Sequence, residues 1–284
     1  MSFKNIKNFV DSQVLYGRVH TCSFRKVPAD ASTALNWVDL SRAAGNPVPN
    51  YYASSPLQAK AFDGMDGIFH GDNKAPSKKY LSNLVLMSPT AALVGRFMLL
   101  DYLLYYPFVD GDSGDEQVLV NEETVARYTD GAGVQVMCVA VTPTLGGGQF
   151  TFTYMNQNGE LKTSPVQTCA TTASSISTLI TSQQATAAGG RPFLTLASGD
   201  TGVRSIQSVT FSSPAGGLFS FVLVVPLLNT AIYEINTAKE VELIRQAPIL
   251  PRIYDGAYLN FICNPAGSVA AGQLTGLATF VWSE

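Results

Sequence analysis

The apolar positions of this chain fall in short runs. Val134 to Val141, Phe150 to Met155, Leu218 to Leu228 and Tyr258 to Cys263 are alternating or continuously apolar, and clusters of Gly, Pro, Asn, Asp, Ser and Thr bound each one. Such runs between turn formers predict strands, and their number predicts an all-β sandwich or barrel. Further strands are expected at Val14 to Phe24, Ala34 to Leu40, Leu81 to Met87, Arg96 to Phe108 and Gln117 to Val120. Others are expected at Glu160 to Thr163, Pro192 to Ala197, Ser205 to Phe211 and Leu277 to Trp282. Asn156-Gln157-Asn158-Gly159 reads as a hairpin turn. Ser88 and Pro89 suit the cap and first position of a helical turn reaching Val94.

One longer helix is expected over Ala173 to Gln184, capped by Ser174 or Ser175, with Ile176, Leu179 and Ile180 on one face. Ala238 to Gln246 fits a helical turn or a strand equally well. Helices alternating with strands, which an open α/β sheet requires, are not in the pattern. The prediction is therefore a mainly β chain: a jelly-roll-like antiparallel sandwich with a loop-rich N-terminal extension and one short helix. Residues 1–78 form the extension, in which Pro47, Pro49 and Pro56 block ladder hydrogen bonds and Tyr51 and Tyr52 supply packing area. That segment is expected to wrap the main domain or bridge to neighbours, and residues 79–284 form the sandwich. No repeat of fixed period interrupts it.

Composition narrows the function. Of 284 residues 46% are hydrophobic and only 14% charged, against ~25% charged in an average soluble domain. Low charge suggests a surface partly covered by other chains, because charge is depleted at interface centres. The net charge is -3, with no Lys/Arg block to neutralise phosphates, so direct nucleic-acid binding is not expected. No run reaches the ~18 apolar residues of a membrane span. Met1 to Val10 is polar and carries Lys4 and Lys7, unlike a secretory leader, so the chain is expected to stay in the compartment where it is made. Cys22, Cys138, Cys169 and Cys263 lie far apart, which predicts buried free thiols and no zinc site.

Candidate chemistry is sparse. Gly111-Asp112-Ser113-Gly114 echoes the nucleophile motif of trypsin-like proteases, but Asp115 replaces a glycine and only His20 and His70 are available as a base. The alternative is an acidic surface turn. Asp110, Asp112, Asp115 and Glu116 would offer oxygens to Ca²⁺ without matching the twelve-residue calcium loop; Asp63, Asp66 and Asp72 with His70 are a weaker set. Gly146 to Gly148 and Gly189-Gly190 lack the Lys-Ser/Thr of a phosphate loop. Tyr102, Tyr105, Tyr106 and Phe108 would stack on sugars or bases if exposed, yet their apolar strand predicts core or subunit packing. Glu240 and Glu242 sit on one short segment rather than across a cleft, unlike a glycosidase pair. No catalytic, cofactor or metal residue is assigned, and the chain is read as a non-enzyme.

Two longer phrases carry a resemblance. One is Gly45-Asn46-Pro47-Val48-Pro49-Asn50-Tyr51-Tyr52 with Gly67-Ile68-Phe69-His70-Gly71 and Asp101 to Asp110; the other is Leu250 to Phe261, joined by Arg127-Tyr128-Thr129-Asp130-Gly131. Together they resemble virion structural proteins of tailed bacteriophages. Within that class the β pattern is similar to auxiliary capsid proteins of the cement or decoration type, which clamp the shell from outside. The major shell protein carries a long spine helix that this chain lacks. The resemblance implies a virion location after synthesis in the host cytoplasm, a homo-oligomer with a trimer favoured, and the major capsid protein as partner. A tail or head-fibre component, or a carbohydrate-binding receptor-recognition module, is the alternative.

Overall fold

The computed structural model describes residue 3 and residues 5–181, 190–246 and 249–283. Strand makes up 43% and helix 7%, far from the ~30–35% helix of an average domain; the chain is mainly β. In chain order the strands begin with β1 (Val19–Val27), β2 (Val38–Asp39), β3 (Ala44–Asn46), β4 (Lys60–Ala61), β5 (Lys79–Met87) and β6 (Gly95–Asp110). Next come β7 (Gln117–Val118), β8 (Gln135–Ala140), β9 (Gln149–Asn156), β10 (Leu161–Thr163), β11 (Gln167–Thr168) and β12 (Val203–Ser213). The last are β13 (Leu218–Ile232), β14 (Lys239–Glu242), β15 (Arg252–Ile253), β16 (Tyr258–Pro265) and β17 (Leu274–Trp282). Among the described residues two α-helices, α1 (Ile6–Val14) and α2 (Leu243–Gln246), complete it.

These strands form three antiparallel sheets. The central sheet has the order β2-β16-β6-β13-β8, with β4 also on β6. A second sheet, β14-β5-β17-β1-β3 with β15 on β5, and a third, β10-β9-β12-β7 with β11 on β9, cover it. Both lie on the same face of the central sheet. Phe97 and Leu99 of β6 pack with Leu84, Phe280 and Trp282 of the second sheet, whereas Leu104, Tyr106 and Val109 of the same strand pack with Phe150, Phe152 and Phe211 of the third. Leu227 of β13 touches both clusters.

The opposite face is closed by loops. Trp37, Tyr52 and Phe62, together with Leu179, cover Met98, Leu100, Tyr102, Val222 and Val224. Burial on both faces is why β6 and β13 read as continuous apolar runs, while one-sided β9 alternates strictly between buried and more exposed positions. Segment 1–78 supplies β1 to the interior of the second sheet, between β17 and β3, and lays Trp37, Tyr52 and Phe62 over the central sheet.

Several local expectations change. The helix at Ala173–Gln184 is not formed over 173–181, and 182–184 lie outside the described residues. Instead Thr178 bridges Val38 and Leu179 bridges Val139, and Leu179 N–H and Ile180 N–H donate to Trp37 and Cys138 carbonyls. The Ser/Thr-rich run is a poor helix former. Leu179 and Ile180, placed on one helical face by their spacing, go to opposite clusters. Pro192 to Ala197 is not a strand; Gln167 substitutes for a ladder partner, its amide bonding Thr195 N–H and C=O at 3.0 Å each. The strand expected from Val14 starts at Val19, because Asn5 caps α1, accepting from Asn8 N–H at 2.8 Å. Ala34 to Leu40 shortens to β2. The turn after Ser88 is a 3₁₀ turn over Ala91–Leu93, and Ser88 Oγ bonds within the preceding bend, to Thr90 C=O at 2.6 Å. Ala238 to Gln246 is both β14 and α2.

Candidate functional site

The acidic loop ends β6. Gln117 clamps it by donating to Asp110 C=O at 2.8 Å and accepting from Asp110 N–H at 2.7 Å. Gly111 is required beneath it, since a Cβ there would stand 2.3 Å from the Phe219 ring. Ser113 Oγ accepts from Asp115 N–H at 3.3 Å, which makes it a turn residue. Neither histidine is brought to Ser113: His20 stacks edge-on against Phe69, and both nitrogens of His70 are engaged elsewhere. Asp112, Asp115 and Glu116 are exposed. Among the described residues no three His, Cys, Asp or Glu side chains converge to hold a metal ion.

The remaining sequence candidates are dispersed. Asp63 caps a 3₁₀ turn, accepting from Met65 N–H at 2.9 Å, and is not joined to His70. Gly146, Gly147 and Gly148 all have positive φ, and a Cβ on Gly146 would collide with the Thr172 backbone, so the run is a tight turn. Gly190 C=O accepts from the Trp37 indole at 2.9 Å, and Gly189 lies outside the described residues. Tyr102, Tyr105 and Tyr106 are buried in the central sheet. Glu240 accepts from Asn83 at 2.7 Å and Glu242 pairs with Arg245, both along β14. All four cysteines are free; burial pushes the Cys22 thiol up to about 11 and that of Cys169 up to about 12.

Two buried polar centres were not legible locally. Asp39 accepts four hydrogen bonds, filling its lone pairs: Tyr102 Oη at 2.6 Å and Ser41 N–H at 2.9 Å on Oδ1, Tyr52 Oη at 2.5 Å and Ser41 Oγ at 2.6 Å on Oδ2. Burial and then the carboxylate hold both tyrosine hydroxyls well above their ordinary range, so they remain donors. Nearby Lys26, fully buried, donates to Ala43 C=O at 2.8 Å and Pro47 C=O at 2.9 Å. Burial lowers Lys26 to about 8, partly countered by Asp39.

Lys79 forms the second centre. Its ammonium donates to Gly71 C=O at 2.6 Å and His70 Nδ1 at 2.7 Å, under the Trp282 ring. A lysine only donates and a carbonyl only accepts, so His70 is the neutral tautomer with Nε2–H aimed at Ala257 C=O, 3.1 Å away. This fastens the loop after Ile68 to the second sheet. Burial, then the Lys79 charge, pushes His70 down to about 4.

The sign of the resulting pH dependence is set by the native state. Unfolded His70 takes up a proton near pH 6.5 and the native side chain only near 4. Stability therefore falls as pH drops through that window and levels below it. Between pH 7 and 4.5 the wild type should lose about 2 kcal/mol more than His70→Gln in urea unfolding; parallel losses would refute the latch.

A broad groove of about 550 Å³ lies above β13, beside β5 and β15 of the second sheet. Its floor is Val225, Pro226 and Leu227, and its walls are Tyr128, Tyr254 and the 249–252 segment. Tyr128 and Tyr254 stack edge-on at 4.7 Å, and the Arg252 guanidinium lies 4.1 Å from the Tyr254 ring centre. Beneath the groove, Arg127 grips buried Asp101 with two hydrogen bonds of 2.8 and 2.5 Å. Nothing in this arrangement presents a nucleophile beside a base. With Lys78 and Tyr80, its lining residues come from four separated segments, which is why no motif announced it. Compared with protein families, curated proteins and solved structures, the chain finds no match.

Proposed function

We propose that the protein is a structural component of a tailed-phage virion, a non-enzymatic cement or decoration protein that stabilises the shell through subunit interfaces. The resemblance in sequence supplies the setting. The observation that carries the assembly role is an uncovered apolar stripe on α1. Phe9 and Ser12 face inward, Phe9 packing with Tyr80 and Val281. Ile6, Val10 and Val14, spaced four apart on one face, are 64%, 44% and 75% exposed, and Leu15 and Tyr16 continue the patch. A helix that is apolar on two sides is built to be covered twice.

In this reading a rigid, jelly-roll-like block presents α1 to the major capsid protein. A standard interface buries ~1,600 Å², and repetition over a lattice turns modest contacts into tight retention. The test is co-sedimentation with expanded shells. The wild type should bind, and Ile6→Ser/Val10→Ser/Val14→Ser should bind at least about tenfold more weakly while keeping its circular dichroism. A folded wild type that ignores shells would overturn the proposal.

A further inference from the structure

We propose that the groove above β13 is the seat for the acidic loop of a second copy of this chain. The inference deepens the assembly reading, on which it rests for self-association. Both halves of the contact are on the molecule, and neither meets its opposite charge among the described residues. The groove carries Lys78 and Arg252, both exposed, and no acidic residue lines it. Among the described residues neither cation makes an ion pair. The loop carries Asp112, Asp115 and Glu116, likewise exposed and without an ion pair among those residues. One residue beyond them, past Gln117, Val118 is 64% exposed, an apolar group beside three anions. The groove is its counterpart: an apolar floor and Ile249, 76% exposed, beside two cations.

The loop cannot serve its own groove. Leu218 pairs with Asp110 at the loop, whereas Val225 pairs with Asp101 at the groove floor. Nine residues of β6 separate the two places, roughly 25–30 Å at strand rise, and Gln117 pins the loop to Asp110. Contact must come from another molecule. Donor and acceptor are different patches, so the contact closes either as a two-fold pair that exchanges loops reciprocally or as a head-to-tail ring. Opposite charges steer and register such a contact, with an apolar centre supplying area.

Charge reversal tests this on the full chain by sedimentation velocity at low salt. The loop variant is Asp112→Lys/Asp115→Lys/Glu116→Lys, and the groove variant is Lys78→Glu/Arg252→Glu. The wild type should associate, each variant alone should associate at least about tenfold more weakly, and an equimolar mixture should regain association because the reversed loop then meets the reversed groove and the native loop the native groove. All of the changed residues are exposed, and circular dichroism confirms folding. A wild type that stays monomeric, variants that associate like it, or a mixture that stays apart would each overturn the inference. Shell co-sedimentation of the same variants separates the failures: retained shell binding leaves the cement reading standing, and its loss in the wild type removes both.

Discussion

Replacing Asp39 by Ala should cost about 4 kcal/mol of stability. The carboxylate is the common acceptor of two buried tyrosine hydroxyls and of Ser41. Removing it strands those donors in an apolar layer, at ~1–3 kcal/mol for each one left unsatisfied. It also takes away the one charge that supports the Lys26 ammonium. Tyr102→Phe, which deletes a single donor, should cost only ~1–2 kcal/mol. Urea denaturation of the two variants beside the wild type measures this. A loss below about 1 kcal/mol for Asp39→Ala would show that the loops over the central sheet are held by apolar contact alone.

Arg127→Met should be nearly as damaging, at about 3–5 kcal/mol, because it leaves the Asp101 carboxylate buried with no counter-charge. Burial already raises Asp101 above the ordinary carboxylate value, with Arg127 pulling the other way. Without the arginine the acid should hold its proton to still higher pH, so the deficit should shrink as pH is lowered from 7 towards 5. Arg127→Lys keeps the charge but loses the two-pronged geometry, and should recover only part of the stability. Removing both partners, in Asp101→Leu/Arg127→Met, should cost less than Arg127→Met alone. Thermal melts at two pH values resolve the set, and a pH-independent deficit would refute the assignment of the cost to the unpaired carboxylate.

The class of fold was written plainly in the chain, for physical reasons. β6 and β13 are apolar without a break because both their faces are covered, and β9 alternates because only one is. The Asn156 to Gly159 turn was legible because its chemistry is local: Asn156 Oδ1 accepts from the N–H groups of Asn158 and Glu160, both at 2.9 Å. Where pattern failed, long-range pairing won. Ile176, Leu179 and Ile180 have helical spacing, yet Leu179 and Ile180 point into different clusters. α1 escaped notice because three of its four apolar residues, Ile6, Val10 and Val14, face outward. The polar centres were illegible altogether, since Asp39 meets Tyr102 from 63 residues away and Arg127 meets Asp101 from 26. The groove was equally hidden, for its walls and floor are far apart along the chain.

The shared pair β6 and β13 has a mechanical meaning. Antiparallel ribbons pulled end against end are loaded in shear, so their cross-links must give way together, whereas a ribbon peeled from its tip parts one rung after another. Here the two longest strands run beneath both covering layers in one ladder, from Leu218 opposite Asp110 to Ile232 opposite Gly95. A tensile load entering at either end of this ribbon is therefore borne along one shared ladder, across its three bulges, rather than passed between separate sheets.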